Sequence, residues 1–291
     1  MYAGEKMKSN HTYIKQTITD SILFIDSGCD FKHPELQDNI ILKQSKSFVD
    51  DNISDYTGHG TQIISVLTGK HYISGFLPNI NIVLYKVTNF YGKSKAIDIY
   101  KALKIGIKNN FKVINISFSG EIYDKKLMKK FQSIIYEAYK KNIVICWSSM
   151  NNLQKSANHG NKNMVPNQLE KVFKIGDLNY YNSVDFVAPG GETINGNELE
   201  EITTMIVANT RLVQKISDHY MGLPIGYTLN MGNSIATSYA SGCFMLIIST
   251  FKNKNKRYPS INEIISLISK YDDKERNLIE ITKRVIEDEI V

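Results

Sequence analysis

The chain has 291 residues, a length that α/β enzymes reach as one domain, and 42% of it is hydrophobic, which excludes a wholly disordered chain. Thirty-five Lys and Arg against 29 Asp and Glu give a net charge of +6, a mild excess that a solvated lysine face explains. No nucleic-acid-binding module accompanies the charge, so no nucleic-acid partner is expected.

Cys29, Cys146 and Cys243 are too few and too scattered for a disulfide framework and read as buried thiols. Met1 to Asn10 has no apolar h-region, so no signal peptide is expected. No run reaches the roughly 18 apolar residues of a membrane span, so no membrane partner is expected. Free thiols without a signal point to the cytoplasm.

In chain order, a strand is predicted over Ser21–Asp26, a helix over His59–Thr68, and a strand over Ile82–Val87. A helix over Lys95–Asn109, a strand over Val113–Ser117 and a helix over Asp124–Lys141 follow. Strands over Ile143–Trp147 and Val172–Ile175 come next, then helices over Ser234–Thr250, Ile261–Ser269 and Glu275–Asp288. The strands are rich in Ile and Val and do not alternate with polar residues, as expected when both faces are buried. The order implies an α/β fold: one doubly wound, mostly parallel sheet with helices on both faces, in a single domain over residues 1–291. Gly190–Leu229 reads as a polar, irregular surface excursion, and Lys252–Arg257 as a solvated turn between helices.

Three segments carry chemistry. Ser234 opens a helix after Gly232, where a tight turn and free helix N–H groups can serve a nucleophile and the oxyanion it creates. Alone, such a serine is usually an N-cap. His59 stands between Gly58 and Gly60, whose small size lets the imidazole project, and it can carry a proton near neutrality. His11, His33, His71, His159 and His219 read as surface or capping histidines. Asp26 ends a strand of Ile, Leu and Phe, where a carboxylate is costly unless it is used, for instance to orient the histidine. An isolated Asp-Ser-Gly is more often a turn. The order Asp, His, Ser is one of three in which the hydrolytic triad occurs on unrelated folds.

Ile25–Leu36 resembles the aspartate box of the subtilisin-like serine peptidases (subtilases), Gly58-His59-Gly60-Thr61 their histidine box, and Gly232–Ser238 their serine box. The resemblance covers about Ser21 to Thr250. It implies Asp26, His59 and Ser234 as the triad and Asn151 as an oxyanion donor, with Asn152 the alternative because Met150 stands where the family has Gly. It implies two substrate-binding edges, one of Ser117, Phe118 and Ser119, the other of Gly92, Lys93 and Ser94. An extended peptide would add between them as a strand. Val187–Gly190 matches a further structural segment.

Asn233 and Ser238 replace the usual Thr and Pro of the serine box. The loop Gly69–Gly75 is shorter than the family's calcium loop and lacks a carboxylate, so neither metal nor cofactor is expected, although Glu35 stands where one ligand could be. Asp26 comes early in the sequence, so no family-type pro-domain is expected. Ser117–Ser119 and Trp147–Met150, which resemble the walls of the P1 pocket, and Met164 near its floor bring no carboxylate and imply an uncharged P1 side chain. These features resemble the cytoplasmic lanthipeptide leader peptidases, which implies removal of the leader peptide from a modified precursor. The competing readings are a general intracellular subtilase and a peptide-binding protein that does not cut.

Overall fold

The computed structural model describes residues 18–150, 164–178, 184–191, 205–212, 218, 222–272 and 275–290. Among these the strands are β1 (Ser21–Asp26), β2 (Lys46–Ser47), β3 (Asn81–Lys86), β4 (Val113–Ile116), β5 (Gly120–Glu121) and β6 (Val144–Ser148). They continue with β7 (Met164–Val165), β8 (Phe173–Asp177), β9 (Phe186–Ala188), β10 (Met205–Ala208) and β11 (Tyr227–Asn230). The helices are α1 (His59–Thr68), α2 (Ala96–Lys108), α3 (Lys125–Lys140), α4 (Asn233–Asn255), α5 (Ile261–Ser269) and α6 (Leu278–Ile290).

Seven strands form one parallel sheet in the order β2-β3-β1-β4-β6-β8-β9. The chain builds one way from β1 to β3, then crosses back to β4 and builds the other way. β1 therefore lies at the switch point, where the carboxyl ends of the strands open a crevice. The expected doubly wound α/β architecture is what forms.

Side chains of each strand alternate between two cores. Ile22 and Phe24 of β1 join a cluster with α1, α4, α5 and α6 on one face. Leu23 and Ile25 join a second cluster with Ala102, Leu103 and Ile107 of α2 and Phe131, Ile134 and Ile135 of α3 on the other. Both faces are covered, which is why these strands carry near-continuous apolar runs. The three cysteines are free and buried, as expected.

Several expectations need correction. α4 runs to Asn255, so Lys252 and Lys254 belong to its last turn, where cations suit the negative end of the dipole. By length and composition alone α4 could cross a membrane, but its apolar stretch is buried inside the fold. α6 begins at Leu278 instead of Glu275. The excursion before the serine helix is not simply surface: β10 and β11 pair antiparallel within it, and Val207 and Ala208 enter the core. His33 is buried, its Nε2 2.8 Å from the Gly226 carbonyl and its Nδ1 accepting from Glu35 N–H. His71 is exposed, as expected, while His11, His159 and His219 lie outside the described residues.

Glu35 is the anchor of the Gly69–Gly75 loop. Its Oε2 accepts from the N–H groups of Lys70 (2.7 Å) and His71 (2.9 Å). Its Oε1 accepts from the N–H groups of Tyr72 (2.5 Å) and Ile73 (3.1 Å) and from the Tyr227 hydroxyl (2.9 Å). Burial alone would raise its pKa; these donors outweigh it and hold the carboxyl below the ordinary 4.5. A lowered folded value stabilises the protein fully above the ordinary value, and the gain is lost as pH falls from 4.5 through the folded pKa. Glu35→Gln is expected to cost about 2–3 kcal/mol and roughly 5–10 °C of Tm at pH 7, with the gap to the parent narrowing as pH falls from 4.5 through the lowered folded pKa. Thermal melts across pH test this. Because both carboxylate oxygens are already committed, EDTA is expected to leave the parent Tm unchanged, and a drop of many degrees would show a bound metal.

Candidate active site

Asp26 closes β1 at the crevice and is fully buried. Its Oδ1 accepts the Ser27 N–H at 2.7 Å and lies 2.7 Å from His59 Nδ1. A carboxylate only accepts, so Nδ1 carries the proton and Nε2 is left to accept one. Burial alone would lower the imidazole pKa; the charge and hydrogen bond of Asp26, with the Asp55 charge behind, outweigh it and raise it above 6.5.

The histidine reaches Asp26 because α1 begins almost in contact with the aspartate box. A Cβ on Gly60 would sit 2.1 Å from the Gly28 carbonyl, so no other residue fits there. Close approach of backbones, more than room for the imidazole, is what this glycine supplies. Gly58 has φ 88°, a left-handed conformation glycine adopts readily.

Asp55, which sequence reasoning missed, holds this junction. Fully buried, its carboxylate accepts from Ser27 Oγ, Thr57 N–H and Oγ, Gly58 N–H, and Thr61 N–H and Oγ. Ser27 Oγ in turn accepts the Gly60 N–H at 2.9 Å. The first-turn amides of α1 are thus satisfied by the aspartate box and by Asp55. An aspartate shortly before a predicted helix start was the available signal.

Ser234 lies in the first turn of α4, after Gly232 with φ 128°. Gly232 N–H donates to the Gly190 carbonyl at 2.6 Å, which gives the Val187–Gly190 segment its structural role. Ser234 Oγ donates to the Ser117 carbonyl at 2.5 Å, and Ser117 Oγ donates to the Ser234 carbonyl at 3.0 Å. This reciprocal pair joins the end of β4 to the start of α4. One helical turn on, Ser238 Oγ donates to the Ile63 carbonyl at 2.7 Å. Ser238 is four residues after Ser234 and Ile63 four after His59, so this bond joins α4 to α1 one turn beyond each of those two residues. The unusual Ser238 thus links the two helices.

Among the expected edge residues, Phe118 accepts Trp147 Nε1–H at its carbonyl (2.8 Å), and Ser119 leads into β5. Met164 of β7 is buried and pairs with Glu121 of β5, two residues beyond the Ser117–Ser119 segment. Glu121, exposed and bonded by the Tyr123 hydroxyl, is the described carboxylate nearest that wall in sequence. Gly92, Lys93 and Ser94 form an exposed turn, closed by Asn89 and by a Thr88–Ser94 hydroxyl pair at 2.7 Å. It lies against the chain just before the histidine box: a Gly92 Cβ would be 3.5 Å from Thr57, and Phe90 meets the Tyr56 ring at 5.2 Å. Asn151, Asn152 and the acidic residues Glu192, Glu198, Glu200 and Glu201 lie outside the described residues.

A parallel doubly wound sheet with a buried carboxylate, an oriented histidine and a helix-start serine at its switch point defines a class of hydrolytic α/β proteins. Residues 21–270 match the model of the subtilase family, and the chain belongs to that family. An intracellular serine protease of Paenibacillus polymyxa is 24% identical over 196 residues, 60% of this chain and 57% of that protein. The chain spans about half, or less, of the length of the curated relatives it matches. A lanthipeptide protease structure superposes with TM-score 0.78 at 24% identity, covering 92% of this chain and 86% of the other. The nisin leader peptidase NisP from Lactococcus lactis superposes with TM-score 0.71 at 20% identity, covering 94% and 90%. These two are likenesses of fold.

The His59 imidazole is expected to titrate above 6.5, and Asp26→Asn to bring its midpoint down by removing the charge that favours the imidazolium. NMR of the ring protons against pH checks this; an unchanged midpoint would detach Asp26 from His59.

Proposed function

We propose that this protein is a serine endopeptidase in which Ser234 attacks, His59 moves the proton and Asp26 orients His59. The observation that carries the reading is the 2.7 Å bond from His59 Nδ1 to the buried Asp26, with Ser234 on the adjoining helix. For attack, Ser234 Oγ turns from the Ser117 carbonyl toward Nε2, which takes its proton as Oγ bonds to the scissile carbonyl carbon. The imidazolium then returns the proton to the leaving amine, and water repeats the sequence on the acyl-enzyme. The Ser234 N–H, in the first turn of α4 near the positive end of its dipole, and the Asn151 amide receive the developing oxyanion.

The substrate in this reading is an extended peptide lying between Ser117–Ser119 and Gly92–Ser94, with an uncharged P1 residue. The fold likeness to lanthipeptide-processing proteases over nearly the whole chain supports the leader of a lanthipeptide precursor as that peptide. Likeness to named intracellular serine proteases supports a second reading, general intracellular proteolysis. We place either activity in the cytoplasm.

Ser234→Ala is expected to lower kcat by on the order of 10⁶, and Asn151→Ala by roughly 10²–10³ with KM little changed. Measured kcat and KM on a leader-like peptide series varied at P1 test both the residues and the pocket. Preference for P1 Arg would overturn the neutral pocket and point to Glu121 or to the acidic residues before β10. Equal turnover of unrelated unfolded proteins would favour the second reading.

A further inference from the structure

The residue before the nucleophile does something that its residue type in this chain makes possible. Asn233 is fully buried, although it directly precedes Ser234 at the mouth of the crevice. Its amide is turned inward. Oδ1 accepts the Asp177 N–H at 2.8 Å. Nδ2 donates to the carbonyls of Ser149 at 3.2 Å and Met150 at 3.0 Å. Asp177 is the last residue of β8, and Ser149 and Met150 directly follow β6. These two strands are neighbours in the sheet, held in register there by Ser149 N–H to the Ile175 carbonyl at 2.9 Å. One side chain therefore binds two adjacent strand ends to the first turn of α4.

We propose that Asn233 is a positioning residue: its amide sets where Ser234 stands relative to the backbone leaving β6, the backbone that continues into Asn151. The inference rests on the Ser234 reading above and goes beyond it. Asn can serve because it offers donors and an acceptor on one planar group, and both kinds are used here. A hydroxyl in its place has a single proton to donate and a shorter reach. Fixing such distances matters because a misplacement of about 1 Å at a reacting centre can cost on the order of 10²-fold in rate.

The test is the inactivation of the full chain by a fluorophosphonate, whose phosphorus bonds to the serine oxygen as fluoride leaves. It needs no knowledge of the natural substrate. The expected result for Asn233→Ala is a kinact lower by about 10²-fold with KI within a factor of two. Asn233→Thr, less disruptive to folding, should show the same split more weakly. Near-ultraviolet circular dichroism and the Trp147 fluorescence verify the fold of each variant. If Asn233 acts through the β6 exit, its loss should cost much less in an Asn151→Ala background, where the group being positioned is already gone. Folded variants with unchanged kinact, or, where Asn151→Ala itself lowers kinact, equal losses in both backgrounds, would overturn the proposal. Labelling of the parent at a residue other than Ser234 would overturn the catalytic reading beneath it, and Asn151→Ala without effect would remove only the oxyanion assignment.

Discussion

The bond between His59 Nδ1 and Asp26 Oδ1 requires the start of a helix to touch the end of a strand, and much of the surrounding chain is arranged to allow that approach. Gly60 lies against the Gly28 carbonyl because any side chain there would force the two apart. Bringing α1 that close strands its first-turn N–H groups in the interior, where unpaired amides cost free energy. Ser27 Oγ and the Asp55 carboxylate take them up. The Asp26–His59 bond and the helix cap are thus one network. Asp55 also adds negative charge near the imidazole, so the group that caps the helix helps to raise the pKa of His59.

The same segment of chain is fastened a second time, to the region that precedes the serine helix. Arg211 forks onto both oxygens of Asp30, at 2.7 and 2.8 Å. His33 meets the Gly226 carbonyl, and Glu35 accepts the Tyr227 hydroxyl. From α1, Gln62 donates to Asn209 Oδ1 and accepts from Asn230 Nδ2, so it bridges the two ends of the β10–β11 pair. The Asp30–Arg211 pair is partly exposed, where such pairs contribute little on their own. His33 and Glu35 are buried, and their bonds carry more of the fastening.

Apolar burial and polar bonding divide the labour. Two large clusters, one on each face of the sheet, supply the non-directional stabilisation that holds the layers together. Burial of this kind sets neither the rotation nor the register of α4 to a fraction of an ångström. Directional bonds do so: Ser238 to Ile63, Ser241 to Asn115, Asn115 to Ser117, Ser117 to Ser234, and Asn233 to two strand ends. They run along one side of a helix whose sequence is otherwise almost wholly core. Small polar residues at the start of α4 therefore connect Ser234 to α1, β4, β6 and β8.

The sequence by itself determined the order of the six helices and of β1, β3, β4, β6 and β8, the burial of both sheet faces and the three boxes with their Asp, His and Ser, but not the sheet edges β2 and β9 or the short pairs β5–β7 and β10–β11. Those features are local: runs of Ile and Val, an amphipathic helix after His59, and a glycine before a helix start are each read from neighbours along the chain. β1, α1 and α5 fall on the residues expected. The tertiary structure alone decided what Asp55, Gln62, His33, Glu35 and Asn233 do. Their partners are set by topology, from the end of β8 to the β10–β11 pair, and no local pattern encodes which donors a folded chain brings to a buried oxygen. It alone decided, too, that Gly190–Leu229 sends Val207 and Ala208 into the core, because burial of a short strand depends on the neighbour that covers it.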